Sequence, residues 1–176
     1  AATVRGIEWL ARRDQRIAVT CKVFNPDPWK LGTPGGTVDL KTGKLEPAAR
    51  GDLITRVTGV APEEGAPTRW LQFLDEATGG DQELVRFLQQ VCGYCLCGDT
   101  REHALVFVYG PGGNGKSVFL DVVAGILGNY SVTAAMDTFT ASQSDRHPTD
   151  LAMLRGARTV SASETEEGRA WAEARI

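Results

Sequence analysis

The segment from residue 105 to residue 127 constrains the fold more than any other part of the sequence. The apolar run Leu105–Tyr109 leads into G-P-G-G-N-G-K-S at residues 110–117, which matches G-x-x-x-x-G-K-[ST], and an apolar helical pattern continues to Leu127. Glycines let such a loop turn several backbone N–H groups towards one point, where phosphate oxygens bind. The order strand, loop, helix therefore predicts the opening of a P-loop α/β fold with a mainly parallel sheet.

The loop also defines the candidate binding site for a nucleoside triphosphate. We expect Lys116 to reach the β- and γ-phosphates and Ser117 to hold Mg²⁺. The alternative interpretation is a glycine-rich turn without a ligand, and the strand before the loop and the helix after it argue against that alternative. The residues predicted to bind the nucleotide are Gly110, Pro111, Gly112, Gly113, Asn114, Gly115, Lys116, Ser117 and Val118.

A triphosphatase also needs carboxylates opposite the phosphate loop, to hold the Mg²⁺ shell and to orient the attacking water. A second candidate strand, Arg158–Ser163, is followed directly by Glu164 and, two residues later, by Glu166. Ligands of open α/β sheets bind at the carboxyl ends of the strands, so both glutamates stand where such groups are needed. An exposed acidic turn is the competing interpretation, and the residues alone leave the two open. A lone His147 receives no role.

The remaining sequence divides into two smaller parts. Residues 1–61 predict a mixed segment with a helix over Val4–Arg13 and a hairpin between 37 and 45, in which Gly43 supplies a positive φ angle. Residues 62–103 predict a small helical domain of two helices, the first capped by Thr68 and ended by Gly79-Gly80, the second capped by Asp81. Residues 104–176 then form the start of the P-loop domain.

Composition favours an ordinary globular protein, because 42% of the residues are hydrophobic and the net charge is −3. No run approaches the roughly 18 apolar residues of a membrane span, so no membrane partner is expected and a cytoplasmic location is the default. Cys92, Cys95 and Cys97 lie close to His103, but their spacing is not a usual zinc pattern. We interpret the cysteines as core residues of a helix.

Several ordered motifs together resemble a known family. They are L-G-T-P-G-G-T-V-D-L-K-T-G-K-L-E-P, F-L-Q-Q-V-C-G-Y-C-L-C-G-D-T-R-E-H-A-L-V-F-V-Y-G-P-G-G-N-G-K-S and P-T-D-L-A-M-L-R-G-A-R-T-V-S-A-S-E-T-E-E-G. The chain resembles the C-terminal helicase part of phage and plasmid primases, the poxvirus-type primase-helicase group of the superfamily III helicases within the AAA+ class. The resemblance implies that the loop is a Walker A motif and that Glu164 is a Walker B carboxylate, with Glu166 sharing the role.

The resemblance further implies ATP hydrolysis, with Lys116, Glu164 and Glu166 as catalytic residues and Ser117 and Glu164 at the metal. It implies 3′ to 5′ movement on single-stranded DNA by a hexameric ring in the cytoplasm of a bacterial host, with an arginine from the neighbouring subunit at each ATP site. The family's DNA-contacting hairpin, sensor asparagine and arginine finger would follow Ile176, so we expect a truncated AAA+ core with weak turnover by itself.

Two other functions stay open at this point. A P-loop kinase would need several lid arginines, for which Arg155, Arg158 and Arg169 are the nearby residues. The second open function is a nucleotide-binding assembly module that does not hydrolyse ATP on its own.

Overall fold

The structure, a computed structural model, describes residues 2–139 and 152–162. The elements whose bounds lie within those ranges are four α-helices, five short strands and four 3₁₀ turns. In chain order the helices and strands are α1 (Ala2–Ala11), β1 (Lys30–Thr33), β2 (Gly36–Asp39), β3 (Lys44–Glu46), α2 (Thr68–Thr78), α3 (Gln82–Leu96), α4 (Lys116–Leu127), β4 (Ser131–Thr133) and β5 (Thr159–Ser161).

The N-terminal sheet is antiparallel, in the order β1-β2-β3. Val38 of β2 lies opposite Leu31 on one side and Leu45 on the other. The turn between β2 and β3 places Gly43 at a φ of 70°, and the Asp39 carboxylate accepts the backbone N–H groups at 41 and 42. These two bonds hold the pKa of Asp39 below its ordinary value. The predicted hairpin and its glycine are confirmed, as is a helix at the N-terminus.

The helical pair also forms, although one predicted cap is wrong. Gly79 ends α2 in the left-handed conformation, and Asp81 caps α3 by accepting the N–H groups of residues 83 and 84 at 3.0 Å each. Thr68 was predicted to cap α2 but is its first helical residue, and Pro67 occupies the cap position. Proline has no side-chain oxygen that could accept the first helical N–H groups, so the helix begins without a side-chain cap.

The strand predicted over Leu105–Tyr109 is not formed. The segment belongs to neither sheet, and its five side chains are between 38% and 89% exposed. A parallel strand needs neighbouring strands at its edges and helices over its faces. The segment 105–109 lacks such neighbours, because β4 and β5 pair with each other and not with it. The second predicted strand is confirmed in part, because β5 covers residues 159–161 and runs parallel to β4. A complete P-loop core stays a prediction.

One small core joins the N-terminal sheet to the end of α4. Leu31 of β1 packs with Leu127 and Tyr130, whose side chains are 1% exposed. The Tyr130 hydroxyl accepts the Gly32 N–H and donates to the Arg56 carbonyl, both at 3.0 Å. Since these partners are 98 and 74 residues away in sequence, Tyr130 fixes the N-terminal sheet to α4.

Arg158 completes this junction from the start of β5. Its guanidinium donates to the carbonyl oxygens of Leu96 and Lys30 and lies 4.6 Å from the centre of the Tyr130 ring. Burial lowers the pKa of this guanidinium from its ordinary value. Bonds to carbonyl oxygens and a ring face compensate in part for the lost hydration of the charge. Arg158 therefore ties the sheet, α3 and β5 together.

Candidate nucleotide-binding site

The glycine-rich loop stands at the N-terminus of α4, as predicted. Gly115 is the cap residue, with φ 85°, and Lys116 is the first helical residue. Gly110 and Gly113 also have positive φ angles, of 144° and 76°. Residues with a Cβ adopt these conformations only with strain, so three of the four glycines are required by the backbone path. Gly112 has no positive φ angle, and a Cβ built on it would meet open space.

Lys116 folds back over the loop that precedes it. Its ammonium group donates to the carbonyl oxygens of Gly110 at 2.9 Å and Pro111 at 2.8 Å, and to Oδ1 of Asn114 at 2.6 Å. All three acceptors are neutral oxygens, and a phosphate oxyanion is a stronger partner for an ammonium group. The three bonds of Lys116 therefore hold the loop in a compact shape. The ammonium group can exchange these neutral acceptors for an anion.

The start of α4 presents the other predicted binding residues. Ser117 and Val118 are both exposed in the first turn, and Val118 has 52% of its surface accessible. The N–H groups of a helix's first turn and its dipole favour an anion at this end. The loop and the first turn thus form one continuous surface suited to phosphate groups.

The helix α2 packs against the loop, a contact that sequence reasoning missed. A methyl group built on Gly115 would lie 3.0 Å from Cε2 of Phe73 and 3.4 Å from the Ala77 methyl group. Trp70 stacks on Phe73 and on Phe119 of α4, with ring centres 5.2 Å and 5.7 Å apart. The spacing of these aromatic residues along the sequence did not show that the loop is their neighbour.

An apolar cavity of about 420 Å³ opens beside this contact. It lies between α2, α3 and the extended segment 106–109, with Asn114, Gly115 and Lys116 at one end. Its volume is within the range of small-molecule sites, and its walls are mainly aliphatic and aromatic.

The predicted carboxylates cannot be placed against the loop. Glu164 and Glu166 lie outside the described residues, as do His147 and Arg169. The strand before the glutamates, β5, ends at Ser161, and the described residues end at Ala162. The acidic half of the site therefore stays a prediction.

Two arginines considered for a kinase lid have structural partners instead. Arg158 is bound at the junction described above, and Arg155 donates to Sγ of Cys21 at 2.7 Å. The buried partners of Arg158 therefore assign that arginine to the junction and not to a lid.

The cysteines of α3 pack as apolar residues. Cys95 contacts the core around Tyr130, Cys97 is buried, and burial raises the pKa of the Cys92 thiol. Among the residues that the structure describes, no group of three or more potential ligands could hold a metal ion. Over the same ranges, none of the helices has the length and apolar character needed to cross a membrane.

Comparison with known proteins supports a replication context. Residues 2–79 match a family model described as "D5 N terminal like". That description denotes the N-terminal domain of D5-like primase-helicase proteins, so the match supports the predicted primase-helicase group. The matched domain is not the C-terminal helicase domain that the sequence motifs resemble, and that part of the prediction has no support from the match. The match ends one residue after α2, and thus includes the helix that packs on the loop.

One curated relative is similar over a shorter stretch. The "Uncharacterized mitochondrial protein ymf21" of Marchantia polymorpha is 34% identical over 70 residues, which is 40% of this chain. The aligned stretch covers 38% of that relative's length.

Proposed function

We propose that the chain binds MgATP and is the nucleotide-binding part of an ATP-dependent DNA helicase module in a phage, prophage or plasmid replication protein. The observation that carries this proposal is the motif G-P-G-G-N-G-K-S at the start of α4, with positive φ angles at three of its glycines. The match of residues 2–79 to D5-like proteins supports the replication context.

Each residue of the loop has a defined chemical role in this proposal. The backbone N–H groups of the loop and the Lys116 ammonium bind and neutralise the phosphates, which requires Lys116 to exchange its present carbonyl partners for phosphate oxygens. Ser117 and Glu164 would hold Mg²⁺, and Glu164 or Glu166 would orient the attacking water. A Mg²⁺ ion held there would supply positive charge to offset the charge that develops on the phosphates during hydrolysis.

The wider activity is a proposal for the whole protein. It would form a hexameric ring in the cytoplasm of a bacterial host, move on single-stranded DNA and receive an arginine from the neighbouring subunit at each site. Because the chain spans only about 38% of the curated relative that it matches, these properties are proposals for the whole protein.

The test compares two lysine variants of the longer protein. Lys116→Ala should abolish ATP hydrolysis stimulated by single-stranded DNA, since it removes the positive charge at the phosphates. Lys44→Ala removes an exposed lysine of β3 and should leave turnover unchanged. Phosphate release is measured with and without a single-stranded oligonucleotide, and normal DNA-stimulated turnover in Lys116→Ala would refute the proposal.

A matched pair of assays on the 176-residue chain separates binding from turnover. We expect calorimetric titration to show binding of MgATP, and phosphate release to be weak because groups from neighbouring subunits are missing. If neither MgATP nor an ATP analogue produces binding heat in calorimetry, nucleotide binding itself is contradicted.

A further inference from the structure

The aromatic contact between α2 and the phosphate loop gives Phe73 a role beyond core packing. We infer that Phe73 is a positioning residue for the nucleotide site: its ring packs on Gly115 and holds that glycine, and hence the N-terminus of α4, in the conformation that receives phosphate. The inference rests on the proposed function, because it concerns the same loop.

The geometry around Gly115 carries this inference. The two nearest atoms to a methyl group built at this position belong to the Phe73 ring, at 3.0 and 3.2 Å, and the third belongs to Ala77. Gly115 has a φ of 85°. Glycine enters and leaves this conformation freely, so contacts from other residues are needed to keep Gly115 there. A ring packed on the Cα side of Gly115 restricts this freedom, so the loop reaches the binding conformation at a lower entropic cost.

The contact continues from the loop into the helix that follows it. Phe73 stacks on Trp70, and Trp70 stacks on Phe119, which is one turn into α4. The three rings therefore hold α2 against both the loop and the first turn of α4. A change in the loop on nucleotide binding should alter the surroundings of the Trp70 indole.

The first test is a comparison of two phenylalanine variants. Phe73→Ala should weaken MgATP binding about three- to tenfold in calorimetry, in proportion to the loss of an aromatic contact at the loop. Phe24→Ala removes the same group from a side chain that is 38% exposed, does not line the cavity beside the loop and is not among the nearest neighbours of Gly115, so the MgATP affinity of this variant should stay within about twofold of wild type. Melting temperatures show how far each variant is destabilised.

The second test follows Trp70 directly. The chain has four tryptophans, so substituting phenylalanine for Trp9, Trp29 and Trp171 leaves Trp70 as the single reporter. Its emission should change when MgATP is added, and Lys116→Ala should abolish that change.

If Phe73→Ala does not fold, Phe73→Leu keeps an apolar side chain without the ring and should show a smaller loss of affinity.

The outcomes separate the inference from the function on which it rests. If the wild-type chain binds MgATP and the folded Phe73 variant binds it equally well, the positioning role is wrong and the proposed function stands. If calorimetry detects MgATP binding but the Trp70 emission does not change, the positioning role is likewise wrong and the proposed function stands. A wild-type chain that does not bind MgATP contradicts both.

Discussion

The close approach of the N-terminal segment to α4 leads to a quantitative prediction for Gly59. The Gly59 N–H donates to the Ile126 carbonyl at 2.9 Å, and the Asn129 N–H donates to the Val57 carbonyl at 3.1 Å. A methyl group built on Gly59 would lie under 3.0 Å from the carbonyl oxygen of Gly125, which is part of the α4 backbone. Because neither backbone can rotate away as a side chain would, Gly59→Ala must push the two segments apart.

The magnitude follows from the contacts that this separation breaks. Two backbone hydrogen bonds contribute about 1 kcal/mol each, and overpacking typically costs about 1–3 kcal/mol, so we expect the free energy of unfolding to fall by about 3–5 kcal/mol. For a chain of this size that corresponds to a melting temperature lower by roughly 6–20 °C. Circular dichroism during thermal or urea unfolding measures the change.

Gly125 offers the matched control, because it lies across the same contact. A methyl group on Gly125 has nothing within 4 Å outside its own helix, and alanine is favoured over glycine inside a helix by about 0.5–1 kcal/mol. Gly125→Ala should therefore be neutral or raise the melting temperature slightly. If the two variants unfold at the same temperature as the wild type, the packing of the N-terminal segment on α4 is not as described.

Three further predictions concern the caps, the core and the thiols. Asp81→Ala removes the cap of α3 and should cost about 1 kcal/mol of stability, measured by urea unfolding; an unchanged midpoint would contradict the capping bonds. Tyr130→Phe leaves a buried N–H group unpaired and should cost about 1–3 kcal/mol, whereas Tyr109→Phe at an 89% exposed ring should be neutral in the same assay. Iodoacetamide should modify the exposed Cys21 well before the buried Cys97 in peptide mapping by mass spectrometry, and equal rates would contradict the burial of Cys97.

Local signals in the sequence predicted the elements that depend on neighbouring residues. The hairpin follows from Gly43 and alternating side chains, and α3 follows from the Asp81 cap and its apolar repeat. The Thr68 cap failed because the preceding proline determines where α2 begins. The strand at 105–109 failed because a strand also needs partners, and sequence composition cannot supply them.

Long-range contacts were not predictable from pattern alone. Nothing near Tyr130 indicates that its hydroxyl binds residues 32 and 56, and a lone Arg158 does not reveal two distant carbonyl partners. The conformation of the glycine-rich loop was predictable because its residues are contiguous and three of its glycines have positive φ angles, whereas its binding of phosphate stays a prediction. Phe73 contacts the same loop through packing, so only the structure identified it.

The position of Tyr130 also determines when this protein can finish folding during synthesis. Its hydroxyl bonds to residue 32 across 98 residues, and β1 packs on Leu127. At about 5–20 residues per second, a ribosome needs roughly 5–20 seconds to make the chain between these partners. During that interval Leu31 has no core to join, so the N-terminal sheet is exposed to chaperones and proteases until α4 has been made.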